Sequence, residues 1–159
     1  MALPFVLKDL VVILEKKLRG VSAAALTRFA GRAQRAAGLR GQLSILVTGN
    51  AELRRLNRRY RRKDKPTDVL SFPAGGNGVA GDIAISAEVA AENARRFGHS
   101  AAAEVKILIL HGVLHLAGFD HDHARDRGRM SRREESLRRR LGLPAGLIRR
   151  SSPAAGKRP

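Results

Sequence analysis

Residues 68–86 read DVLSFPAGGNGVAGDIAIS, a glycine-rich run between two short apolar segments. A phosphate-cradling loop follows a strand and opens a helix. Here PAGGNGVAG instead lies between DVLSF (68–72) and GDIAIS (81–86), both patterned as strands. The stretch therefore predicts a β-hairpin closed by glycine-rich turn chemistry, not a nucleotide loop.

Upstream, Pro66 breaks a helical pattern. That helix, AELRRLNRRY, is predicted to be capped by Asn50, with Leu53, Leu56 and Tyr60 inward and Arg54, Arg55, Arg58 and Arg62 outward. Before it, LSILV (43–47) predicts a strand. From Ser22, an N-cap, SAAALTRFAGRAQRAAG predicts a helix with an apolar stripe of Leu26, Phe29, Ala30, Ala33 and Ala37, ended by Gly38. LVVIL (10–14) is a further strand.

Downstream, Ser86 caps a helix to about Phe97. His99 and Ser100 then precede the apolar helix AAAEVKILILHGVLHLA, which Gly118 ends. A charged helix over about 124–141 draws its inner face from Met130, Leu137 and Leu141. Neither repeat nor linker divides the chain, so residues 1–142 are expected to form one domain and 143–159 a basic, flexible tail.

The 159 residues are 43% hydrophobic, a globular composition with enough chain for a core. No apolar run reaches the roughly 18 residues of a membrane span. MALPFVLKDLVVIL resembles a signal peptide only faintly, because Lys8 and Asp9 interrupt it and no small-residue cleavage site follows. Cysteine is absent, which excludes disulfides and thiolate metal sites and suits a reducing cytosol. The net charge of +17 and a pI near 11.7 point to a polyanion, nucleic acid ahead of an anionic membrane surface. Arginine-rich composition bias would raise the charge without function.

Four of the five histidines lie within 111–123. His111 and His115 stand at i and i+4 on one helix face, able to share an ion. Gly118 can turn the chain back, which brings His121 toward the pair. Three imidazoles and an open water position form a catalytic rather than a closed structural zinc arrangement. Nickel, copper or cobalt suit the same ligands. His123 is expected to be a solvated surface histidine. Asp120 is either an acceptor for an imidazole N–H or a helix cap.

The metallopeptidase signature shares this spacing but has glutamate after the first histidine, where this chain has Gly112. Losing that base costs roughly 10²–10⁴-fold. Phosphodiester cleavage fits better, because a metal and an arginine together meet the charge on phosphoryl oxygens. LNRRYRRKDKPTD supplies the arginines. Taken singly, Arg54, Arg55, Arg58 and Arg59 suit a solvated face, whereas Arg61 and Arg62 sit where helix gives way to loop.

LNRRYRRKDKPTDVLSFP (56–73), GDIAIS (81–86) and HGVLHLAGFDH (111–121), followed by Met130 and Leu141-Gly142, resemble the YbeY family of bacterial endoribonucleases, the rRNA maturation factors. The resemblance implies an α+β fold, a small mixed sheet of about four strands with helices packed around it. It implies one zinc ion on His111, His115 and His121, with Arg61 and His111 catalytic and Arg61 near the RNA phosphate. It further implies a cytoplasmic enzyme of rRNA maturation and ribosome quality control whose partners are rRNA and the small ribosomal subunit. Phe119 departs from the family's usual tyrosine, removing a hydroxyl but keeping the ring. The first 40 residues match only in pattern, and the tail has no clear counterpart. The alternative from another class is an RNA- or ribosome-binding assembly factor with a structural metal. With Tyr60 the one aromatic among the arginines, the chain lacks the stacking platforms of a dedicated single-strand binder. The oligomeric state is left open.

Overall fold

The computed structural model describes residues 9–119 and 127–144. Four strands, β1 (Leu10–Leu14), β2 (Gln42–Thr48), β3 (Val69–Gly76) and β4 (Val79–Ser86), form one sheet in the order β1-β2-β4-β3. β1 and β4 both run parallel to β2, while β3 is antiparallel to β4, so the sheet is mixed. Five helices surround it: α1 (Ala23–Ala37), α2 (Asn50–Arg61), α3 (Ala87–Phe97), α4 (Ala101–Leu116) and α5 (Arg127–Arg140). The fold is α+β, as the resemblance implied.

The hairpin is tighter than its sequence suggested. β3 runs on through Pro73 to Gly76, and the turn is only Asn77-Gly78. Both turn residues have positive φ, 58° and 76°, the backbone of a two-residue turn whose twist matches the flanking strands. Local capping is as expected at two helices, and Ser100 caps a third. The hydroxyls of Ser22, Ser86 and Ser100 accept from the N–H groups of Ala25, Val89 and Ala103 at 3.1, 3.2 and 3.0 Å.

Asn50 is not a cap. It is the first residue of α2, Gly49 holds the cap position, and the Asn50 N–H donates to the Glu88 carboxylate at 2.7 Å. A carboxylate from a neighbouring helix thus does what a local side chain usually does at a helix N-terminus.

The main core lies on one sheet face. Leu43, Ile45 and Val47 of β2 and Ile83 and Ile85 of β4 meet Leu26, Phe29 and Ala30 of α1, Ala90 of α3, most of α4, and Met130 and Leu137 of α5. α4 is apolar on all sides because it is enclosed on all sides. No single helix among the described residues is long and apolar enough to cross a membrane. On the opposite face, among the described residues, α2 packs through a small cluster of Leu53, Leu70 and Ala84 with Leu56 and Phe72 at its margin. Asp120, His121, His123, the first residues of the predicted final helix and the tail from 145 lie outside the described residues.

Candidate metal centre

α4 carries two of the three expected ligands. His111 is buried and His115 half-buried one turn later, and their Nε2 atoms are 3.1 Å apart. Two imidazole nitrogens sharing a tetrahedral zinc at bond lengths of 2.0–2.1 Å stand about 3.3 Å apart. The pair is thus already spaced as two ligands of one ion. Gly118, at φ 105°, turns the chain out of the helix as expected. His121 lies outside the described residues, and no group of three metal-ligating side chains occurs among those described.

The other nitrogen of His111 is also engaged. Its Nδ1 lies 3.2 Å from Oε1 of Glu134 on α5, and Oε2 of the same carboxylate accepts from Arg138 Nη2 at 2.8 Å. Glu134 and Arg138 are each only 1% exposed. Burial pushes the Glu134 carboxyl up, but the imidazole and the guanidinium outweigh that cost and hold it below the ordinary carboxylate range. A carboxylate at Nδ1 keeps the imidazole proton there, so Nε2 presents its lone pair toward His115. The donor set therefore fits a divalent ion of the zinc type: two converging imidazole nitrogens, one of them oriented by a buried carboxylate.

Neither Glu134 nor Arg138 stood out in the arginine-rich sequence of α5. The signal was present, because Glu134 falls on the stripe Met130, Glu134, Leu137, Leu141 at helical spacing. A carboxylate among buried positions needs a partner, and His111 and Arg138 are its partners.

Gly112 faces the sheet. A Cβ there would lie 2.8 Å from Cδ1 and 3.1 Å from Cγ1 of the buried Ile83. The glycine lets α4 approach β4 closely. A glutamate at this position would press on Ile83, so α4 at its present distance from β4 does not accept the peptidase residue.

Arg61 approaches from the other side of the edge strand. It is the last residue of α2, and its Nη2 donates to the Ser71 carbonyl at 3.1 Å. The Ser71 hydroxyl in turn contacts the Gly112 carbonyl at 3.4 Å, one residue from His111. Ser71 is thus the joint between the arginine and the histidine helix. The loop after Arg61 is pinned by the buried Asn57, whose Nδ2 donates to the Lys65 carbonyl at 2.9 Å. Arg54 and Arg58 close on Asp64 at 2.8 and 3.9 Å.

Tyr60 corrects an expectation. It does not point inward; it is 57% exposed and meets Phe72 edge-on at a ring separation of 5.3 Å. At 3.6 residues per turn Tyr60 falls in line with Leu53, two turns back, but it sits in the last turn of α2, beyond the buried Leu53 and Asn57, and stays exposed.

The chain matches the family model described as Endoribonuclease YbeY over residues 8–142. The Endoribonuclease YbeY of Koribacter versatilis is 59% identical, covering 92% of this chain and 95% of that protein. That of Aquifex aeolicus is 46% identical, covering 70% of this chain and 77% of that protein. The solution structure of TM1509 from Thermotoga maritima superimposes with a TM-score of 0.58 at 26% identity, over 93% of this chain and 99% of that one. The class is that of the endoribonucleases. The chain belongs to the endoribonuclease YbeY family.

Proposed function

We propose that this chain is a metal-dependent endoribonuclease that cuts single-stranded RNA, with rRNA in the small ribosomal subunit as its cytoplasmic target and maturation and quality control as its role. His111, His115 and His121 would hold one zinc ion with a fourth position open to water. The observation that carries this reading is the 3.1 Å Nε2 pair backed by the buried Glu134 carboxylate, in a chain of this family. When bound, the ion supplies a low-pKa water and a positive centre for a phosphoryl oxygen.

The chain's own residues prepare the rest. Glu134 and Arg138 fix the His111 ring. Ser71 holds the Arg61 guanidinium at the sheet edge, leaving its other N–H groups for a scissile phosphate. Arg61 is thereby preorganised, so orienting it costs little when charge develops. The wider +17 charge draws RNA toward the site.

The test pairs two measurements on purified protein: metal content by elemental analysis, and cleavage of single-stranded rRNA fragments. Wild type should carry about one zinc per chain and cleave, while His115→Ala should do neither. Full metal occupancy in His115→Ala would remove the ligand assignment. Cleavage that persists without metal would make the ion structural, and zinc-loaded wild type that does not cleave would favour the assembly-factor reading.

A further inference from the structure

The part of the outer sheet face that the described residues leave uncovered forms a cleft of about 930 Å³ beside α2. Its floor follows from the strand register. Phe72 pairs with Asp82 and Asp82 with Ser44 in one row, and Leu46 pairs with Ile13 in the next. Tyr60 forms one wall, with Phe72 against its edge and the Arg59 guanidinium 5.3 Å from its ring centroid. Tyr60 and Ile13 are the two most exposed large apolar side chains among the described residues, and both line this cleft. Arg61 and Lys63 stand at its rim.

We infer that this cleft is a nucleobase subsite, in which the base next to the scissile phosphate stacks on Tyr60. The inference rests on the endoribonuclease reading and adds to it where the substrate strand lies. The occupant has to offer an apolar face to Tyr60 and Leu46 and negative charge to Arg61 and Lys63 within one residue's reach. A nucleotide offers both, whereas an apolar peptide side chain leaves the rim cations unmatched. Asp82 on the floor repels phosphate but accepts from a base N–H, so the base and not the backbone enters. Tyr60 and Arg61 are adjacent in sequence, so stacking and phosphate contact fall on neighbouring groups of one strand. The chain thus has a stacking platform after all, built from Tyr60 and the Phe72 that the sheet brings to it.

Fluorescence anisotropy of labelled single-stranded RNA 12-mers tests this, with one abasic ribose walked along the strand and gels confirming intact RNA. Wild-type protein should lose about 10-fold in affinity when the abasic position adjoins the cleavage site, in line with stacking on a single aromatic. Tyr60→Ala should bind intact RNA about 10-fold more weakly and show no further loss at that position, and Tyr60→Phe should behave as wild type. The penalty should persist between roughly 50 and 300 mM salt, unlike that of a phosphate contact. RNA that binds and is cut with a flat abasic walk, or with Tyr60→Ala and abasic losses that add, overturns the subsite alone. A protein side chain as the true occupant gives that same flat walk. Wild-type protein that neither binds nor cuts RNA overturns the functional reading and the subsite together. Should Tyr60→Ala misfold by thermal melting, the abasic walk on wild type decides.

Discussion

The two faces of the sheet are finished in opposite ways. On the inner face four helices close over β2 and β4, and the charged and polar groups caught there are matched: His111 with Glu134, Glu134 with Arg138, and His99 and Asn93 with Glu104. On the outer face, among the described residues, one helix packs and leaves Ile13 and Tyr60 exposed and its own ion pairs at the surface. The inner face is built to hold side chains in one arrangement. The outer face is built to remain accessible, and Arg61 and Ser71 join the two at the free edge of β3.

The largest effect that would break this division is loss of the inner site. His115→Ala should leave no measurable cleavage and empty the metal centre, read by elemental analysis beside an RNA assay. Retained activity would mean the imidazole pair is structural.

Next in size is the contrast in packing. Leu110→Ala, in the inner core, should lower unfolding stability by about 2–5 kcal/mol. Ile13→Ala, on the outer face, should cost only about 1 kcal/mol, since Ile13 is 51% exposed. Equal shifts in urea unfolding would show that the outer face is covered in solution.

Arg61→Ala should reduce the turnover rate by about 10²-fold with metal content and stability unchanged. Arg61→Lys should recover only part, because an ammonium cannot make two parallel hydrogen bonds. Arg55, paired with Glu52 on the solvent side of α2, is the control. If Arg55→Ala matches Arg61→Ala at saturating RNA, the edge position confers nothing.

Glu134→Gln should weaken zinc binding by about 10- to 100-fold, measured by chelator competition. It should also destabilise the fold by removing the buried carboxylate charge that accepts from the Arg138 guanidinium. Unchanged zinc affinity would reduce Glu134 to a packing role. The smallest effect sharpens the comparison from the other side. Asp64→Ala removes the surface ion pairs with Arg54 and Arg58, and should leave the unfolding midpoint where it was.

The strands and helices were legible because their signals are local: alternation, a serine at the right offset, a glycine at the end. The histidine pair was legible for the same reason, since i and i+4 share a helix face whatever surrounds it. What required three dimensions was each contact between elements. Asn50 has the right residue type for a cap, but Glu88 from α3 took over that work. Helical spacing puts Tyr60 in line with Leu53, but the last turn of α2 leaves it on the open cleft and exposed. Glu134 and Arg138 look solvated in a run of arginines because sequence does not reveal that α5 turns that stripe toward His111. That the described residues leave part of the outer face open depends on where the helices pack, and no single residue carries it.

Gly112 has a consequence for how such a scaffold can evolve. Replacing that one residue with glutamate would complete a peptidase signature in the sequence, and a motif search would then assign the chain to a different hydrolase family. In space the new side chain would press on Ile83. A change of catalytic repertoire would require the helix to rotate or lift from the sheet, and the core that packs around α4 would have to move with it. The two chemistries are one letter apart as text and a repacked domain apart as matter.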